Sequence, residues 1–527
     1  MNSKLLVFGI DGGTWEVLLP LINTNKLPTF SNIIKKGVHG DFVSTFPPTT
    51  GPAWLSMATG KNPGKTGIFD FLTKKGKEFE FNVIGSFDYR KNNPYWDLLN
   101  KEGYKTYLIN HPMLYPLYKL NGVMVAGMGN PESSKISYPP SLEKKIFELV
   151  KDYWTIVEWD TPKYHDKKNL LRDLQLFIEK QFKVLKYLIN DDWDLFLHVS
   201  SGSDFLQHAM WRDWKDDKSE YHQEFVEFWE NLDKEIGKLL KDIENTNVFF
   251  VSDHGFGHLN QNFNLSKWLA EKEFIKITPD DKLKNSFSTL FDFFYKKIEN
   301  TPLKRLIVSE KLKLNFLIKN FNIGSIFPPE VDVSNSKVIP GYSSAAYGAL
   351  HITDIVNNYE EFRDEVIGEL KKLEITYGFN IDIFKREEIY WGDKTSKAPD
   401  ILFKINDHGC NVLSSTLKGE IFSDNLPFKN KSGSHRNKGI FCAFGPDIKE
   451  GKKINAKIYD LAPTILHIFN VPIPSDIDGR VLIEIFKEDS EYAKRKPKLR
   501  KKEGPEIKSE DDKLKDVIKD LKLKKKL

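Results

Sequence analysis

Asp253 and His254 are the neighbouring residues in this sequence whose types best suit metal chemistry. They follow the apolar run Asn247–Ser252, so they are predicted to lie where a strand ends and a loop begins. Aspartate supplies an oxygen and a neutral imidazole supplies a nitrogen, which together suit zinc or manganese. The alternative is an aspartate that caps a helix beside a structural histidine.

Asp11, Asp204 and His208 are the next candidates for metal ligands. Asp11 ends the first apolar run, in GIDGGT, where the glycines allow close backbone approach to a cation, although an ordinary Asp-Gly turn is the alternative. Asp204 and His208 are four residues apart, so in a helix they share one face and can bind one ion. A capping carboxylate beside a surface histidine would have the same spacing. His435, in a loop rich in glycine and serine, is by itself typical of a solvated histidine.

Thr49 and Thr50 are the candidate nucleophiles, because they precede Gly51-Pro52 and a predicted helix over 53–59. A threonine at a helix N-terminus is most often a cap. The same position also offers backbone N–H groups and the positive end of the helix dipole to an anion. A threonine hydroxyl becomes a useful nucleophile at neutral pH through a base or a metal. Since the sequence has no G-x-S-x-G elbow, the metal route is favoured.

Short apolar runs that alternate with amphipathic helical stripes predict the fold class. We expect an α/β fold with a doubly wound, mostly parallel sheet flanked by helices, whose ligands bind at the carboxyl ends of the strands. Helical stripes are predicted over 170–189 and 225–240. The apolar runs are Lys4–Ile10, Thr106–Asn110, Gly122–Ala126, Asp194–Ser200, Asn247–Ser252, Ile401–Ile405 and Ile440–Phe444.

Composition divides the chain into one large domain and a tail. Residues 1–486 are predicted to form the domain, with insertions at 131–170 and 270–340, the second basic, rich in phenylalanine and helical. Residues 487–527 have mixed charge and almost no aromatic side chains, which predicts a solvated tail. Within the tail, Leu514, Val517, Ile518 and Leu521 keep the spacing of a short amphipathic helix.

The overall composition excludes several classes of protein. Of 527 residues, 40% are apolar, which excludes a wholly disordered chain, and the net charge of +4 argues against a dedicated nucleic-acid-binding protein. Cys410 and Cys442 are too few for a disulfide framework or a cysteine zinc site, so two reduced thiols are expected. The first apolar run is too short for a signal peptide, and no stretch suits a membrane span. We therefore expect a cytoplasmic protein.

Taken together, the candidate nucleophiles and metal ligands resemble those of the alkaline phosphatase superfamily, and most closely those of the type I phosphodiesterase/nucleotide pyrophosphatase family. The resemblance runs from about Leu5 to Leu482 and implies an alkaline phosphatase-like fold. It is carried by the segments GIDGGTWEVLLPLI, TTGPAWLSMATGKNPGKTGIFDF, SDFLQHAMWR, VSDHGFG, SHRNKGIFCAFGP and YDLAPTILHIFNVPIPSDIDGRVL.

The resemblance also implies two sites for divalent metal ions, with zinc as the first choice and manganese as the alternative. In the family the nucleophile lies nine residues before the threonine of a T-G pair, which here selects Thr50 over Thr49. One ion would be bound by Asp204, His208 and His435, and the other by Asp11, Asp253, His254 and the Thr50 hydroxyl.

The activity implied is metal-dependent hydrolysis of a small phosphate ester, such as a nucleotide, by a phosphodiesterase or nucleotide pyrophosphatase. Two positions depart from family members that cleave nucleotides: Thr66 stands in place of a histidine, and Phe71 in place of an asparagine that holds a phosphate oxygen. A phosphomonoesterase, or another enzyme of the superfamily that acts on phosphates or phosphonates, is therefore an alternative. A non-catalytic binding or scaffold protein is an alternative of another class, and contact of residues 270–340 with a membrane surface is a minor one.

Overall fold

A large mixed β-sheet organises the structure, a computed structural model that describes residues 4–75, 80–131, 134–243, 245–278, 331–424 and 431–500. Within these residues the sheet has ten strands, of which Ala456–Lys457 pairs with Gly37–Val43 outside the main order. The other nine, in spatial order, are Lys452–Lys453, Gly37–Val43, Lys438–Phe444, Asn247–Val251, Leu5–Ile10, Leu195–Ser200, Thr106–Ile109, Gly122–Val125 and Ser137–Tyr138.

The strand Leu5–Ile10 lies at the centre of this sheet, and every one of its residues is buried. It is parallel to both neighbours, Leu195–Ser200 and Asn247–Val251, so the carboxyl ends of all three strands reach the same edge. An apolar run without alternation suits such a strand, because helices cover both faces. The prediction of a doubly wound, mostly parallel sheet is confirmed.

Amphipathic helices cover the sheet and bury their apolar stripes in one core. Lys167–Leu188 and His222–Lys241 confirm the two predicted stripes, and the Asp166 carboxylate caps the first by accepting from the Lys168 N–H. In the described part of the chain, the other helices of at least six residues are Trp15–Asn23, Pro28–Lys36, Thr50–Thr59, Ser86–Lys91, Tyr95–Lys101, Leu142–Val150, Gly202–Lys215, Leu265–Glu271, Tyr359–Tyr377 and Leu461–Ile468. Of these, Leu265–Glu271 and Tyr359–Tyr377 pack in a second core.

A second sheet, antiparallel and four-stranded, has its own hydrophobic core against the helix Tyr359–Tyr377. The predicted strand Ile401–Ile405 exists, but it belongs to this sheet and not to the large one. An apolar run predicts a buried strand without specifying its partners, which explains the difference. In spatial order the strands are Val338–Pro340, Gly348–Ile352, Ile401–Ile405 and Ile381–Lys385.

Several short strands pair outside the two sheets in the described part of the chain. The pairs and the triple are Leu72–Lys75 with Glu80–Val83; Gly255–His258 with Gly433–Arg436; Gln261–Asn264 with Cys410–Leu413 and Phe422–Ser423; Lys276–Ile277 with Val331–Asp332; and Ile473–Pro474 with Leu499–Arg500. Cys410 and Cys442 are both buried free thiols, as expected.

The predicted insertions and tail are only partly within the described residues. Most of the expected helical insertion falls in 279–330, and the expected tail helix falls in 501–527, so both lie outside them. Residues 487–500, which the sequence places in a solvated tail, are mostly exposed, although Tyr492 is buried beside Phe486. The composition of a whole segment does not reveal that one of its aromatic side chains is buried. In the described part of the chain, no helix is both long and apolar enough to cross a membrane.

Candidate metal centre

Six side chains converge where the three central strands end. Asp11 follows Leu5–Ile10 directly, and Asp253 and His254 follow the neighbouring strand Asn247–Val251. Because these strands are parallel and in register, their carboxyl ends deliver the three side chains to one place. All six are buried: Asp11, Asp204, His208, Asp253, His254 and His435.

The helix Gly202–Lys215 and the strand Gly433–Arg436 supply the remaining three side chains. Asp204 and His208 lie on one face of the helix, four residues apart as predicted, with 3.5 Å between carboxylate oxygen and Nε2. His435 projects from the strand, and its Nε2 lies 3.4 Å from the Asp204 carboxylate. The sequence predicted a loop for His435, but the residue lies in a strand, and its side chain belongs to the cluster.

The six side chains form two groups, in each of which three donor atoms lie within 4.8 Å of one another. One group is Asp204, His208 and His435, and the other is Asp11, Asp253 and His254. His254 connects them, since its Nε2 lies 3.6 Å from an Asp11 oxygen and 3.9 Å from an Asp204 oxygen. Three donors of nitrogen and oxygen type in a small space suit zinc or manganese.

The hydrogen bonds of the three histidines fix the orientation of their rings. Each Nδ1 faces a backbone carbonyl, that of Gly433 for His208 (3.1 Å), Gly255 for His254 (3.1 Å) and Pro48 for His435 (2.8 Å). A carbonyl only accepts, so Nδ1 carries the proton and Nε2 presents a lone pair.

Those lone pairs meet inside the cluster. The Nε2 atoms of His208 and His435 are 3.0 Å apart. Burial lowers the pKa of both imidazoles, that of His435 to about 3, so both rings are neutral and their lone pairs repel. A cation bound by both nitrogens removes this repulsion, and carbonyls that accept from the other ring nitrogen orient metal-binding histidines.

The carboxylates are also incompletely satisfied. One oxygen each of Asp11, Asp204 and Asp253 has no hydrogen-bond partner among the described residues. Burial, reinforced by the neighbouring negative charges, raises the pKa of Asp253 to about 7 and that of Asp11 well above its usual range. Burial also raises the pKa of Asp204, to about 6. A divalent cation would stabilise the ionised forms of these three buried carboxylates, which repel one another.

Thr50 begins the helix Thr50–Thr59 and faces this cluster. Its Oγ1 lies 3.4 Å from Nε2 of His254, and the side chain is buried. Thr49 precedes the helix in an extended conformation, makes no capping bond and has no partner for its hydroxyl among the described residues. The helix N-terminus therefore directs the hydroxyl of Thr50, and not that of Thr49, toward His254.

Hydrogen bonds between side chains and backbone groups hold the two strand-end aspartates in place. The Ser203 hydroxyl donates to the Asp11 carbonyl at 2.7 Å, and the Ser44 hydroxyl donates to the Asp253 carbonyl at 2.5 Å. The Gly12 N–H donates to the Asp253 carboxylate at 3.3 Å from a backbone with φ of +68°, a region that favours glycine. A side chain at Gly12 would also collide with the Phe256 ring.

Thr66 and Phe71, the two departures from the family pattern, are both buried. The Thr66 hydroxyl bonds within its own turn, donating to the Pro63 carbonyl and accepting from the Ile68 N–H. The Phe71 ring lies against Gly51, so that a Cβ at Gly51 would be 3.3 Å from it. The position matched to an amide that holds phosphate is thus filled by an aromatic ring next to Gly51, the residue after Thr50.

Sequence reasoning missed three residues beside the cluster. The Trp159 indole stacks on the His208 imidazole, with ring centres 4.8 Å apart and planes 8° apart. Asp160 follows it, and Lys431 is buried with Asp160 and Asp204 as its interacting carboxylates. Trp159 and Asp160 lie in the predicted insertion 131–170, which carried no motif. The one signal for Lys431 was its position four residues before His435 in KSGSH.

Comparisons with known proteins bear on the fold and the family. The model of the family "Type I phosphodiesterase / nucleotide pyrophosphatase" matches residues 5–434. No curated protein matches the sequence.

Solved structures with a similar fold include murine ectonucleotide pyrophosphatase/phosphodiesterase 5, alone (16% identity) and as an inactive threonine-to-alanine variant in complex with AMP (15%). The human protein of the same name is also similar, at 15% identity. Each match has a TM-score of 0.50 and covers 92% of this chain and 100% of the other. At these identities the likeness shows the fold.

Proposed function

The chain belongs to the type I phosphodiesterase/nucleotide pyrophosphatase family, a family of phosphoric ester hydrolases, and from this premise we propose that Thr50 is its covalent nucleophile at a two-metal site. The single observation that carries the proposal is the position of the Thr50 hydroxyl, 3.4 Å from His254 at the N-terminus of a helix. The proposed substrate is a small phosphodiester or a nucleotide, and a nucleotide, AMP, is the ligand in the murine structure.

We propose zinc for both ions, because each group combines carboxylate oxygen with imidazole nitrogen. Asp204, His208 and His435 would bind one ion, while Asp11, Asp253, His254 and the Thr50 hydroxyl would bind the other. The orphaned carboxylate oxygens and the facing Nε2 atoms fit such ions. When bound, the ions would lower the pKa of the threonine hydroxyl and offset negative charge on the phosphate.

The reaction then proceeds in two displacements at phosphorus, the first by Thr50 and the second by water. Thr50 Oγ attacks phosphorus and gives its proton to water, so that the Oγ–P bond forms while the bond from phosphorus to the leaving oxygen breaks. The leaving oxygen takes a proton from water. A water molecule next attacks the phosphothreonyl group, which restores the Thr50 hydroxyl and releases the phosphate product. The positive end of the helix Thr50–Thr59 favours the negative phosphate in both steps.

Thr50→Ala and Thr49→Ala form the matched pair of variants that tests the nucleophile. With bis-p-nitrophenyl phosphate, p-nitrophenyl phosphate and nucleotides as substrates, we expect Thr50→Ala to lower kcat by at least about 10³-fold, because the covalent route is lost. Thr49→Ala removes a neighbouring buried hydroxyl and is expected to keep kcat within about threefold of wild type. Acid-quenched wild-type enzyme should carry phosphate on the peptide that contains Thr50.

Full activity in Thr50→Ala, with equal metal content, would assign the nucleophile elsewhere. Equal losses in both threonine variants would instead indicate damage to the helix N-terminus. The scaffold alternative predicts no turnover of any of these esters by metal-loaded wild-type protein.

A further inference from the structure

Trp159 contacts a proposed metal ligand, although the proposed chemistry gives this tryptophan no role. Its indole lies face to face with the imidazole of His208, with ring centres 4.8 Å apart and planes 8° apart. The Trp159 side chain is half-buried, whereas that of His208 is buried. The indole therefore covers one face of the imidazole that is proposed to bind an ion.

Two further contacts hold the His208 ring. Its Nδ1–H donates to the Gly433 carbonyl at 3.1 Å, and the Phe256 ring packs edge to face against it, with ring centres 4.8 Å apart and planes 78° apart. One hydrogen bond fixes one atom of a ring but permits the ring to rotate about that bond. A parallel indole restricts this rotation, and so keeps the Nε2 atom directed toward His435.

Contacts within the chain hold the segment that carries Trp159. The Trp159 N–H donates to the Val157 carbonyl at 2.8 Å, and the Val157 side chain is buried. A little further along the chain, the Tyr164 hydroxyl donates at 3.1 Å to the carboxylate of Asp173, which lies on the helix Lys167–Leu188. Because these contacts involve no ion, the indole is already in place when an ion binds, and little ordering cost remains.

The indole also distinguishes the two proposed metal sites electrostatically. The face of an indole is negative, so it attracts a positively charged group that lies above it. An ion bound at Nε2 would withdraw electrons from the His208 imidazole and strengthen the attraction of that ring to the indole. A contact that strengthens when an ion binds raises the affinity for the ion by the same factor. Among the described residues, no indole stacks on His254, the histidine of the other group.

We propose that Trp159 is a positioning residue for His208, and that its indole strengthens binding of the ion held with Asp204 and His435. The proposal rests on the proposed function, because it requires a metal ion at His208. It goes beyond that function by making the two ions unequal. The affinity of the ion at His208 depends on the indole, whereas the affinity of the ion at His254 does not.

Trp159→Leu and Trp159→Phe test this in the full chain, with zinc as the probe. Trp214→Leu is the matched control, because Trp214 lies on the helix that carries His208 and stacks on His222, with ring centres 5.6 Å apart and planes 9° apart. His222 belongs to neither proposed metal site. Titration of the metal-free protein with zinc against a competing chelator gives two affinities, and His208→Ala identifies the one that belongs to His208.

Trp159→Leu should weaken zinc binding at His208 by about tenfold, because the stacked ring is lost. Trp159→Phe keeps an aromatic face and should bind zinc there within about threefold of wild type. The affinity of the ion at His254 should not change in either variant, and Trp214→Leu should keep both affinities.

An unchanged affinity at His208 in Trp159→Leu would overturn the proposal and leave Trp159 as a packing residue of the insertion. Equal weakening of both ions in Trp159→Leu would also overturn it, because a general loss of structure affects both sites. Identical zinc titrations of wild type and His208→Ala would instead refute the proposed two-metal site itself.

Discussion

Two regions of this molecule contain buried carboxylates, and they differ in the hydrogen-bond donors that they offer to these carboxylates. Asp70 accepts hydrogen bonds from the Ser344 N–H (3.1 Å), the Ser344 hydroxyl (2.6 Å), the Tyr347 hydroxyl and the Phe71 N–H (2.6 Å). Asp11, Asp204 and Asp253 each leave one oxygen without a hydrogen-bond partner among the described residues.

The difference separates a structural carboxylate from a candidate ligand. Asp70 joins the segment after the helix Pro63–Thr66 to residues 342–347 beside the second sheet, and protein donors stabilise its charge. At the strand ends, protein donors are too few and three carboxylates repel one another. Proteins keep buried carboxylates that lack hydrogen-bond donors where a bound ligand compensates their charge. Substitution of Asp253 should therefore affect activity far more than substitution of Asp70, and the two substitutions should change stability in opposite directions.

The largest contrast is expected in catalysis. Asp253→Asn should lower kcat/KM by at least about 10³-fold and reduce the bound metal, because a proposed ligand charge is lost. Asp70→Asn should change kcat/KM by less than about tenfold, since its carboxylate contacts protein donors and not the cluster. Steady-state kinetics and elemental analysis of the two purified variants measure both effects. Comparable losses of metal in both would contradict the distinction drawn between the two regions.

In the metal-free protein, Asp70→Asn should be the variant that lowers stability, whereas Asp253→Asn should raise it. Asp70→Asn leaves donors of Tyr347 and Ser344 without their charged acceptor and should lower the free energy of unfolding by about 1–3 kcal/mol. Asp253→Asn removes a repelled buried charge, keeps an acceptor for the Gly12 N–H, and should raise that free energy by about 1–3 kcal/mol. Urea unfolding in the presence of a chelator gives both values. A destabilised Asp253→Asn variant would argue that this carboxylate is structural.

The smallest expected effect is a pH dependence confined to the metal-free protein. Burial raises the pKa of Asp253 to about 7 and that of Asp11 well above its usual range, so the folded chain holds protons there that the unfolded chain releases. Relative to the Asp253→Asn variant, the wild-type protein should therefore lose stability as the pH rises from about 4 to about 7, and the difference should level off above that. The lowered pKa values of the buried histidines act in the opposite direction, but both proteins contain these histidines, so their contribution cancels in the difference. A wild-type protein that gains stability over the variant as the pH rises would contradict the assignment.

Much of the fold was predictable because buried central strands leave a strong pattern. The run Lys4–Ile10 predicted the strand Leu5–Ile10 to within one residue, and the helix over 170–189 was found at Lys167–Leu188. The run Ile401–Ile405 was placed in the wrong sheet, since strand pairing depends on contacts distant in sequence.

The candidate site likewise contains residues that the sequence predicted and residues that it did not. Asp11 and Asp253 could be predicted from strand ends alone, whereas His435 joined them only through the family resemblance. Lys431 and Trp159 belong to no motif, and their relation to His208 exists only after the helix Gly202–Lys215 kinks and the insertion folds over it. The expected cytoplasmic location and the boundary at residue 486 stay predictions.

The most direct measurement is anomalous diffraction from crystals of the full chain grown with zinc. The account predicts two peaks per chain, one within about 2.0–2.3 Å of donor atoms of Asp204, His208 and His435, the other within that distance of Asp11, Asp253 and His254. A single peak, or peaks bound by other side chains, would contradict the two-metal site.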